Sequence, residues 1–215
     1  MTGRTARLAL VLALVPLSAS AAQLPDTLPS QALDTLPRQV PAGPGDLAAK
    51  VAGVCRVQIA AAYRYLGGQR FILQEAADAE QHFYARADSG GKILQLYWFQ
   101  VESKLPGQGA GYNYGRDSAI DINDIPFAVS LREARGGADP PPGSDGAAMM
   151  DFVKTAGLTF PAMGRPLRMV HTAKPGARQE LMVIYLESKA MAKSDPTFDG
   201  VFKRGKRALR FVACH

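Results

Sequence analysis

Apolar residues recur along this chain with two different periods, and each period predicts a different kind of element. Between residues 46 and 66 they return every three or four positions, as they do along one side of an α-helix. The residues that carry this pattern are Leu47, Val51, Val54, Cys55, Ile59, Ala62 and Leu66. Asp46 is suited to cap the start of such a helix, and Gly67-Gly68 are suited to end it. We therefore expect a first helix here, with Cys55 on its buried side.

After residue 69 the pattern becomes that of short strands separated by turn residues. The segments expected to form strands are 70–75, 80–87, 92–103, 125–131, 167–172, 180–187 and 208–213. Asp88-Ser89-Gly90-Gly91 suits a hairpin turn between the second and third of these, and Lys174-Pro175-Gly176-Ala177 suits a second hairpin. Consecutive strands joined by tight turns predict an antiparallel meander.

A second helix is expected after Ser144, a residue suited to cap it. Its apolar side is formed by Met149, Phe152 and Val153, and Gly157 follows its end. The predicted fold class is therefore α+β. We expect a single antiparallel sheet, made of two hairpins or a meander plus a C-terminal strand, packed with two main helices.

The N-terminal residues have the pattern of an export signal. Arg4 and Arg7 precede an unbroken apolar stretch over 8–17, and Ala19-Ser20-Ala21 provides the small residues that a signal peptidase accepts. The stretch is about half the length of a spanning helix, and no cysteine follows it for lipid attachment. We expect a signal peptide over residues 1–21 that is cleaved, with a periplasmic or secreted location.

The rest of the chain divides into a tether and one domain. Residues 22–45 contain five prolines, which removes hydrogen-bond donors and favours an extended, flexible tether. Residues 46–215 have the length of one globular domain. In an oxidising compartment, Cys55 and Cys214 are expected to pair, and they lack the C-x-x-C spacing of a redox site.

Charge limits the choice of partners. The chain has 25 lysines and arginines against 19 acidic residues, an excess too small to indicate a nucleic-acid partner. A basic cluster near the C-terminus consists of Lys203, Arg204, Lys206, Arg207 and Arg210. It either docks on anionic envelope polymers or lipids, or is a solvated turn before the last strand.

The first hairpin contains the strongest candidate site residues. Alternation places Phe83, Ala85, Leu96 and Trp98 on one face, continued by Gln100 and Glu102, and places Glu80, His82, Tyr84 and Tyr97 on the other. With Ala87 opposite Lys92, His82 is expected to face Tyr97. The first face is expected to be core, and the second to be a ligand surface. Tyr84, Tyr97, Trp98 and Gln100 are the candidate ligand-binding residues.

Acid–base chemistry has three weak candidates, which are His82, Glu80 and Glu102. A carboxylate beside His82 would hold it as a general base, whereas the alternative is that His82 fills a solvent-facing strand position. Across the second hairpin, Glu180 is expected opposite His171 as a polar pair. The segment Gly111-Tyr112-Asn113-Tyr114-Gly115 resembles a mobile aromatic loop or lid.

Metal and cofactor sites are not expected. The three histidines are scattered, and Asp117, Asp121, Asn123 and Asp124 lack the spacing of an EF-hand. No phosphate-binding or dinucleotide-binding motif is present.

We therefore expect an exported, soluble, non-catalytic module that binds an envelope component or another unidentified ligand. One alternative is a small periplasmic hydrolase that uses His82 with Glu80, Glu102 or Glu180. The other is an envelope-interaction protein docked through its basic C-terminal end. The sequence does not indicate an oligomeric state.

Overall fold

The computed structural model describes residues 31–34 (backbone only), 45–114, 119–133, 140, 142 and 144–214. The expected signal peptide, most of the expected tether, Asp117 and His215 lie outside the described residues. The strands are β1 (Gln31–Asp34), β2 (Asp46–Leu47), β3 (Val54–Ile59), β4 (Arg64–Leu73), β5 (Ala77–Ala87), β6 (Ile93–Lys104), β7 (Ala119–Ile122), β8 (Ile125–Leu131), β9 (Leu167–His171), β10 (Gln179–Glu187) and β11 (Leu209–Ala213). The helices in the described part are α1 (Asp145–Thr155), α2 (Lys189–Ala192) and α3 (Phe198–Arg207).

These strands form two antiparallel sheets. The large sheet has the order β1-β4-β5-β6-β10-β9-β8-β7, with the short β1 at its edge, and the small sheet has the order β11-β3-β2. The prediction of an α+β fold with a single sheet and two main helices is therefore wrong, because most of the regular structure is strand and it is divided between two sheets. None of the helices in the described ranges is long and apolar enough to cross a membrane.

The largest error concerns residues 46–66, which form β2, β3 and the start of β4 and not a helix. In β3, Val57 and Ile59 are buried while Arg56 is exposed, which is the alternation of a strand. β-branched side chains favour this conformation. Gly53, with a φ of 87°, lies in the turn before β3 and interrupts any helix at that point. Cys55 therefore lies on a strand.

Most of the predicted strands and the second predicted helix are confirmed. The meander β4-β5-β6, the turn at residues 88–91, β8, the hairpin β9-β10 and β11 all form. Ser144 caps α1, since its hydroxyl accepts a hydrogen bond from the Ala147 amide. The β5-β6 register differs by two residues from the expected one, so His82 pairs with Phe99 and not with Tyr97. One residue arises because Ala87 pairs with Ile93 and not with Lys92, and the other from a bulge between Arg86 and Ala87. A shift of two leaves each side chain on its expected face.

One face of the large sheet, here called the core face, is covered by the small sheet and by α3. The rings of Phe127 and Phe211 connect the two sheets at 4.6 Å. Gly205 allows α3 to approach closely, because a Cβ at this position would lie 2.7 Å from the Leu167 side chain. Its carbonyl accepts a hydrogen bond of 2.7 Å from the Tyr97 hydroxyl. The main hydrophobic core lies in this layer.

The opposite face, here called the ladder face, has two different halves. At one end, α1 packs Met149 and Val153 against Phe83 and Leu96, which forms a second, smaller core. Beyond this helix, the same face of β4, β5, β6 and β10 carries polar side chains. The candidate site lies in that half.

The predicted disulfide is confirmed. Cys55 in β3 and Cys214, directly after β11, are bonded across a sequence separation of 159 residues. The bond joins the two strands of the small sheet whose residues cover the core face. Loop-closure entropy of a crosslink over this distance stabilises the folded chain by up to about 5 kcal/mol.

Candidate ligand-binding site

A continuous row of amide and carboxyl side chains crosses four strands of the ladder face. We call it the polar ladder, and its members are Gln69 of β4, Gln81 of β5, Gln100 and Glu102 of β6, and Glu180 of β10. Strand register brings them together, since Gln69 lies opposite Gln81, Gln81 opposite Gln100, and Glu102 opposite Glu180. Gln81, Gln100, Glu102 and Glu180 are buried.

Hydrogen bonds connect the amides of the ladder in one direction. Gln69 donates to Gln81 at 3.0 Å, Gln81 donates to Gln100 at 2.8 Å, and Gln100 donates to Glu102 at 2.5 Å. The Trp98 indole also donates to the Gln100 amide oxygen, at 3.1 Å. The indole ring therefore lies against the centre of the ladder and will report on changes there.

Two tyrosines from the segment after β6 cover the carboxyl end of the ladder. This tyrosine cover consists of Tyr112, which donates to Glu102 at 2.9 Å, and Tyr114, which donates to Glu180. Their rings are parallel, with centroids 6.4 Å apart. Two backbone bonds attach the cover to the β9-β10 turn, from the Tyr112 amide to the Ala177 carbonyl (2.8 Å) and from the Gly176 amide to the Tyr112 carbonyl (2.9 Å).

The electrostatics of this end are unusual because two carboxyl groups lie on directly opposite residues. Burial, and then the neighbouring Glu102, raise the pKa of Glu180 to about 7. Burial and the adjacent carboxylates also raise the pKa of Tyr112 and of Tyr114, so both hydroxyls remain hydrogen-bond donors at neutral pH. Lys104 lies 4.9 Å from the Tyr112 ring centroid, and the Arg168 guanidinium lies 5.1 Å from that of Tyr114.

A shallow, open surface cleft begins where the tyrosine cover ends. Its lining includes Asn113, Tyr114 and Thr172, together with small apolar residues such as Ala128 and Val170 on the ladder face of β8 and β9. Apolar walls beside a few polar groups are the kind of lining that protein ligand sites have. Tyr114 separates this cleft from Glu180 and is therefore the side chain that a ligand entering from the cleft would meet first.

Three of the residues singled out from the sequence meet in this site. Trp98, Gln100 and Glu102 alternate along the ladder face of β6, and the aromatic segment at residues 111–114 contacts Glu102 and Glu180. Glu180 is also here and not beside His171, which pairs with Leu181. Tyr84 and Tyr97, by contrast, face each other on the core face with no exposed surface.

The expected contact between His82 and Glu80 is present, at 2.9 Å between Nε2 and a carboxyl oxygen. The other ring nitrogen lies 3.1 Å from the Tyr65 hydroxyl. His82 has no exposed surface, whereas Glu80 lines an open cleft at the margin of the core face, beside Lys50 and Ser103. A substrate in that cleft would meet Glu80 but not His82.

Other polar residues noted in the sequence have structural contacts. The Asn123 side chain accepts a hydrogen bond of 3.0 Å from the Phe211 amide, which joins the β7-β8 turn to β11. Arg204 is paired with the buried Glu187, while Lys203, Lys206 and Arg207 are exposed on α3. In the described ranges, no group of three or more histidine, cysteine, aspartate or glutamate side chains is placed to hold a metal ion.

Sequence reasoning missed Gln69, Gln81 and Arg168 as members of the site. Alternation puts Gln81 on the same face of β5 as Phe83, but its two glutamine partners depend on strand register and on the β4-β5 pairing. Arg168 reaches the site because β9 pairs with β10, and its guanidinium lies 3.4 Å from the Tyr114 hydroxyl. The only local signal was a single glutamine within each of the segments that form β4 and β5.

Comparison with known proteins identified no relative: no family model, no curated protein and no solved structure matches this chain significantly.

Proposed function

We propose that this protein is an exported binding or accessory module, and that the ladder face binds a neutral, polyhydroxylated ligand with the chemistry of an envelope glycan. The observation that carries the proposal is the polar ladder itself, which presents amide donors, amide acceptors and carboxyl acceptors in one row beside the rings of Trp98, Tyr112 and Tyr114. Sugar hydroxyls are both donors and acceptors, and the apolar faces of sugars stack on aromatic rings.

The charges near the ladder support a neutral ligand. Two carboxyl groups disfavour an anion, and the cations of Lys104 and Arg168 next to them reduce the attraction for a cation. In the structure, the hydroxyls of Tyr112 and Tyr114 donate hydrogen bonds to carboxyl oxygens of Glu102 and Glu180, respectively. A ligand hydroxyl would replace them by an equivalent hydrogen bond, so displacing the cover costs little in hydrogen bonding.

Trp98 makes this proposal directly measurable, because it is the only tryptophan of the chain and it contacts the ladder. We expect its fluorescence to change saturably when soluble oligomers of N-acetylglucosamine, glucose or mannose are titrated into the protein at neutral pH. Gln100→Met removes the central amide and should weaken binding at least ten-fold. Gln58→Met, a matched substitution in the small sheet, should leave the affinity unchanged.

Two results would overturn the proposal. One is the absence of binding to every oligomer in both fluorescence and calorimetry. The other is a Gln100→Met protein that is folded by circular dichroism and still binds as the unsubstituted protein does. If Gln100→Met does not fold, Gln69→Met tests the outer end of the same ladder.

A second candidate function, docking through the basic C-terminal end, is favoured by the exposed cations of α3. Lys203, Lys206 and Arg207 are spaced three and four residues apart and therefore lie on one side of the helix. Docking of this kind predicts binding to vesicles that contain phosphatidylglycerol, with an affinity that falls as salt is added. Binding that does not depend on salt, or that persists after all three residues are changed to alanine, would exclude it.

A further inference from the structure

The carboxyl groups of Glu102 and Glu180 depend on the tyrosine cover for their isolation from water. They lie on directly opposite residues of β6 and β10, and the two residues are only 6% and 2% exposed. Each carboxyl group has one cover hydroxyl as a donor, from Tyr112 and Tyr114 respectively. Movement of the cover would therefore change the solvation of both carboxyl groups at once.

The charged and ionisable groups around this pair are located on β6, on β9 and in the tyrosine cover. Lys104 follows Glu102 on β6, Arg168 is on β9, and the two ionisable hydroxyls belong to the cover. In the described part of the chain, neither lysine nor arginine forms an ion pair with Glu102 or Glu180. The charges of Arg168 and Lys104 act on Glu180 through space and both lower its pKa, and Arg168 also contacts the Tyr114 hydroxyl at 3.4 Å. Among the residues that the structure describes, the pair therefore has no directly bonded counter-ion.

We propose that the tyrosine cover is a proton-controlled gate, closed while the Glu102–Glu180 pair holds a proton and increasingly open once that proton has left. The inference rests on the proposed function, since it concerns access to the same ladder. Two adjacent negative charges out of contact with water repel each other and lack solvation. Opening of the cover admits water to the pair and relieves both penalties.

The direction of the pH dependence follows from where the proton binds more tightly. In the closed form, burial and Glu102 hold the pKa of Glu180 at about 7, whereas in a solvated open form it returns towards its ordinary value of 4.5. The closed form is therefore favoured at low pH. As pH rises from about 5 to about 7, the equilibrium constant for opening is expected to increase by up to roughly 40-fold.

Amide hydrogen exchange measures this opening without any ligand. The reporters are the amides of Tyr112 and Gly176, whose hydrogen bonds hold the cover to the β9-β10 turn. We expect their protection factors, already corrected for intrinsic exchange, to fall by up to roughly 100-fold between about pH 5 and pH 8. The Ile93 amide, bonded to the Thr159 carbonyl at the far end of β6, is the internal control and should keep its protection.

Glu180→Gln removes the titrating group and should make the protection of both reporters independent of pH. Glu102→Gln removes only the neighbouring charge, and should move the transition to lower pH without abolishing it. Protection that does not change with pH in the unsubstituted protein would overturn the gate. So would the same pH dependence in Glu180→Gln, or an equal fall at the Ile93 amide.

Failure of the gate and failure of the proposed function are distinguishable. If a sugar oligomer changes Trp98 fluorescence with equal affinity at about pH 5 and pH 8, the ladder binds a ligand but the gate is wrong. If exchange shows the gate and no oligomer binds, the gate stands and the proposed ligand class is wrong.

Discussion

Two hydrogen-bonded rows of buried polar side chains lie on opposite faces of the same sheet, and their carboxylates have different hydrogen-bond donors. On the core face, Tyr63 donates to Gln95, Gln95 to Tyr185, and Tyr185 to Glu187, over distances of 2.5 to 2.8 Å. Arg204 of α3 then binds both oxygens of Glu187, at 2.9 and 2.7 Å. We call this set the arginine-closed network. The polar ladder is similar in length and hydrogen bonding, but it ends in two carboxyl groups to which no cation of the described residues is directly paired.

The difference indicates which of the two chains is built for stability alone. A two-point arginine–carboxylate pair satisfies the charge of Glu187, and α3 covers it, so the network needs nothing from solvent or ligand. At the end of the ladder Glu102 accepts hydrogen bonds from Gln100 and Tyr112, and Glu180 accepts one from Tyr114, which lines an open cleft. A buried polar site that is closed by replaceable donors is the arrangement that a ligand can enter.

The largest effect on the free energy of unfolding is expected from Arg204→Met. This substitution keeps most of the side-chain volume but leaves Glu187, which is 1% exposed, without its cation. Breaking a buried ion pair from one side typically lowers the free energy of unfolding by about 3 to 5 kcal/mol. Urea unfolding followed by Trp98 fluorescence measures the loss.

Lys203→Met is the matched control, since it makes the same kind of change at the preceding, exposed residue of α3. It should alter the free energy of unfolding by no more than about 0.5 kcal/mol. Equal losses in the two variants would contradict the view that the arginine-closed network is a main stabilising element of the core face.

A smaller effect is expected from Glu180→Gln, which should raise the free energy of unfolding at high pH where Arg204→Met lowers it. Because the folded protein raises the pKa of Glu180 from 4.5 to about 7, the folded state binds this proton more tightly than the unfolded state does. The resulting stability is complete below about pH 4.5 and is lost as pH rises to about 7, with an upper limit of about 3 kcal/mol. Opening of the tyrosine cover would reduce that loss.

Urea unfolding at a series of pH values tests this expectation. Glu180→Gln should remove the decline between about pH 4.5 and pH 7, so the variant should be the more stable protein above neutral pH. Glu133→Gln, which changes an exposed glutamate, should retain the decline. A decline of equal size in both variants would show that Glu180 is not its source.

The same comparison explains how far the sequence predicts the structure. Alternation in β6 is a local property, so Trp98, Gln100 and Glu102 were placed together on one face without knowledge of any partner strand. The aromatic segment with Tyr112 and Tyr114 was recognised from its composition. Glu102 lies opposite Glu180 only because β6 pairs with β10, which is distant in sequence, and no local pattern specifies that register.

The error at residues 46–66 has a related cause. Short strands separated by a tight turn place buried residues at irregular intervals, and here the intervals imitated a helix. Val57 and Ile59 become buried only because the large sheet and β11 lie against them. When both faces of a sheet are partly covered, the local pattern of residues does not show which face is exposed. Tyr84 and Tyr97 were therefore assigned to a ligand surface, although the structure places them in the core.

The smallest effect comes from a matched pair of Tyr→Phe substitutions, one in each polar chain, because both hydroxyls donate to a glutamate. Tyr185→Phe removes the donor to Glu187 and the acceptor for Gln95, at a site that water does not reach. The free energy of unfolding should fall by about 1 to 3 kcal/mol. Tyr114→Phe removes the donor to Glu180 at the edge of the cleft, where water can replace it, so the loss should stay below about 1 kcal/mol.

Hydrogen exchange should separate the two variants further. In Tyr114→Phe, the protection of the Tyr112 and Gly176 amides should fall several-fold while the rest of the sheet is unchanged, because only the cover is loosened. A ligand that must displace the cover should then bind several-fold more tightly to this variant. If Tyr114→Phe instead destabilises the whole protein as much as Tyr185→Phe does, the cover is an integral part of the fold. The distinction between the ladder and the arginine-closed network would then be lost.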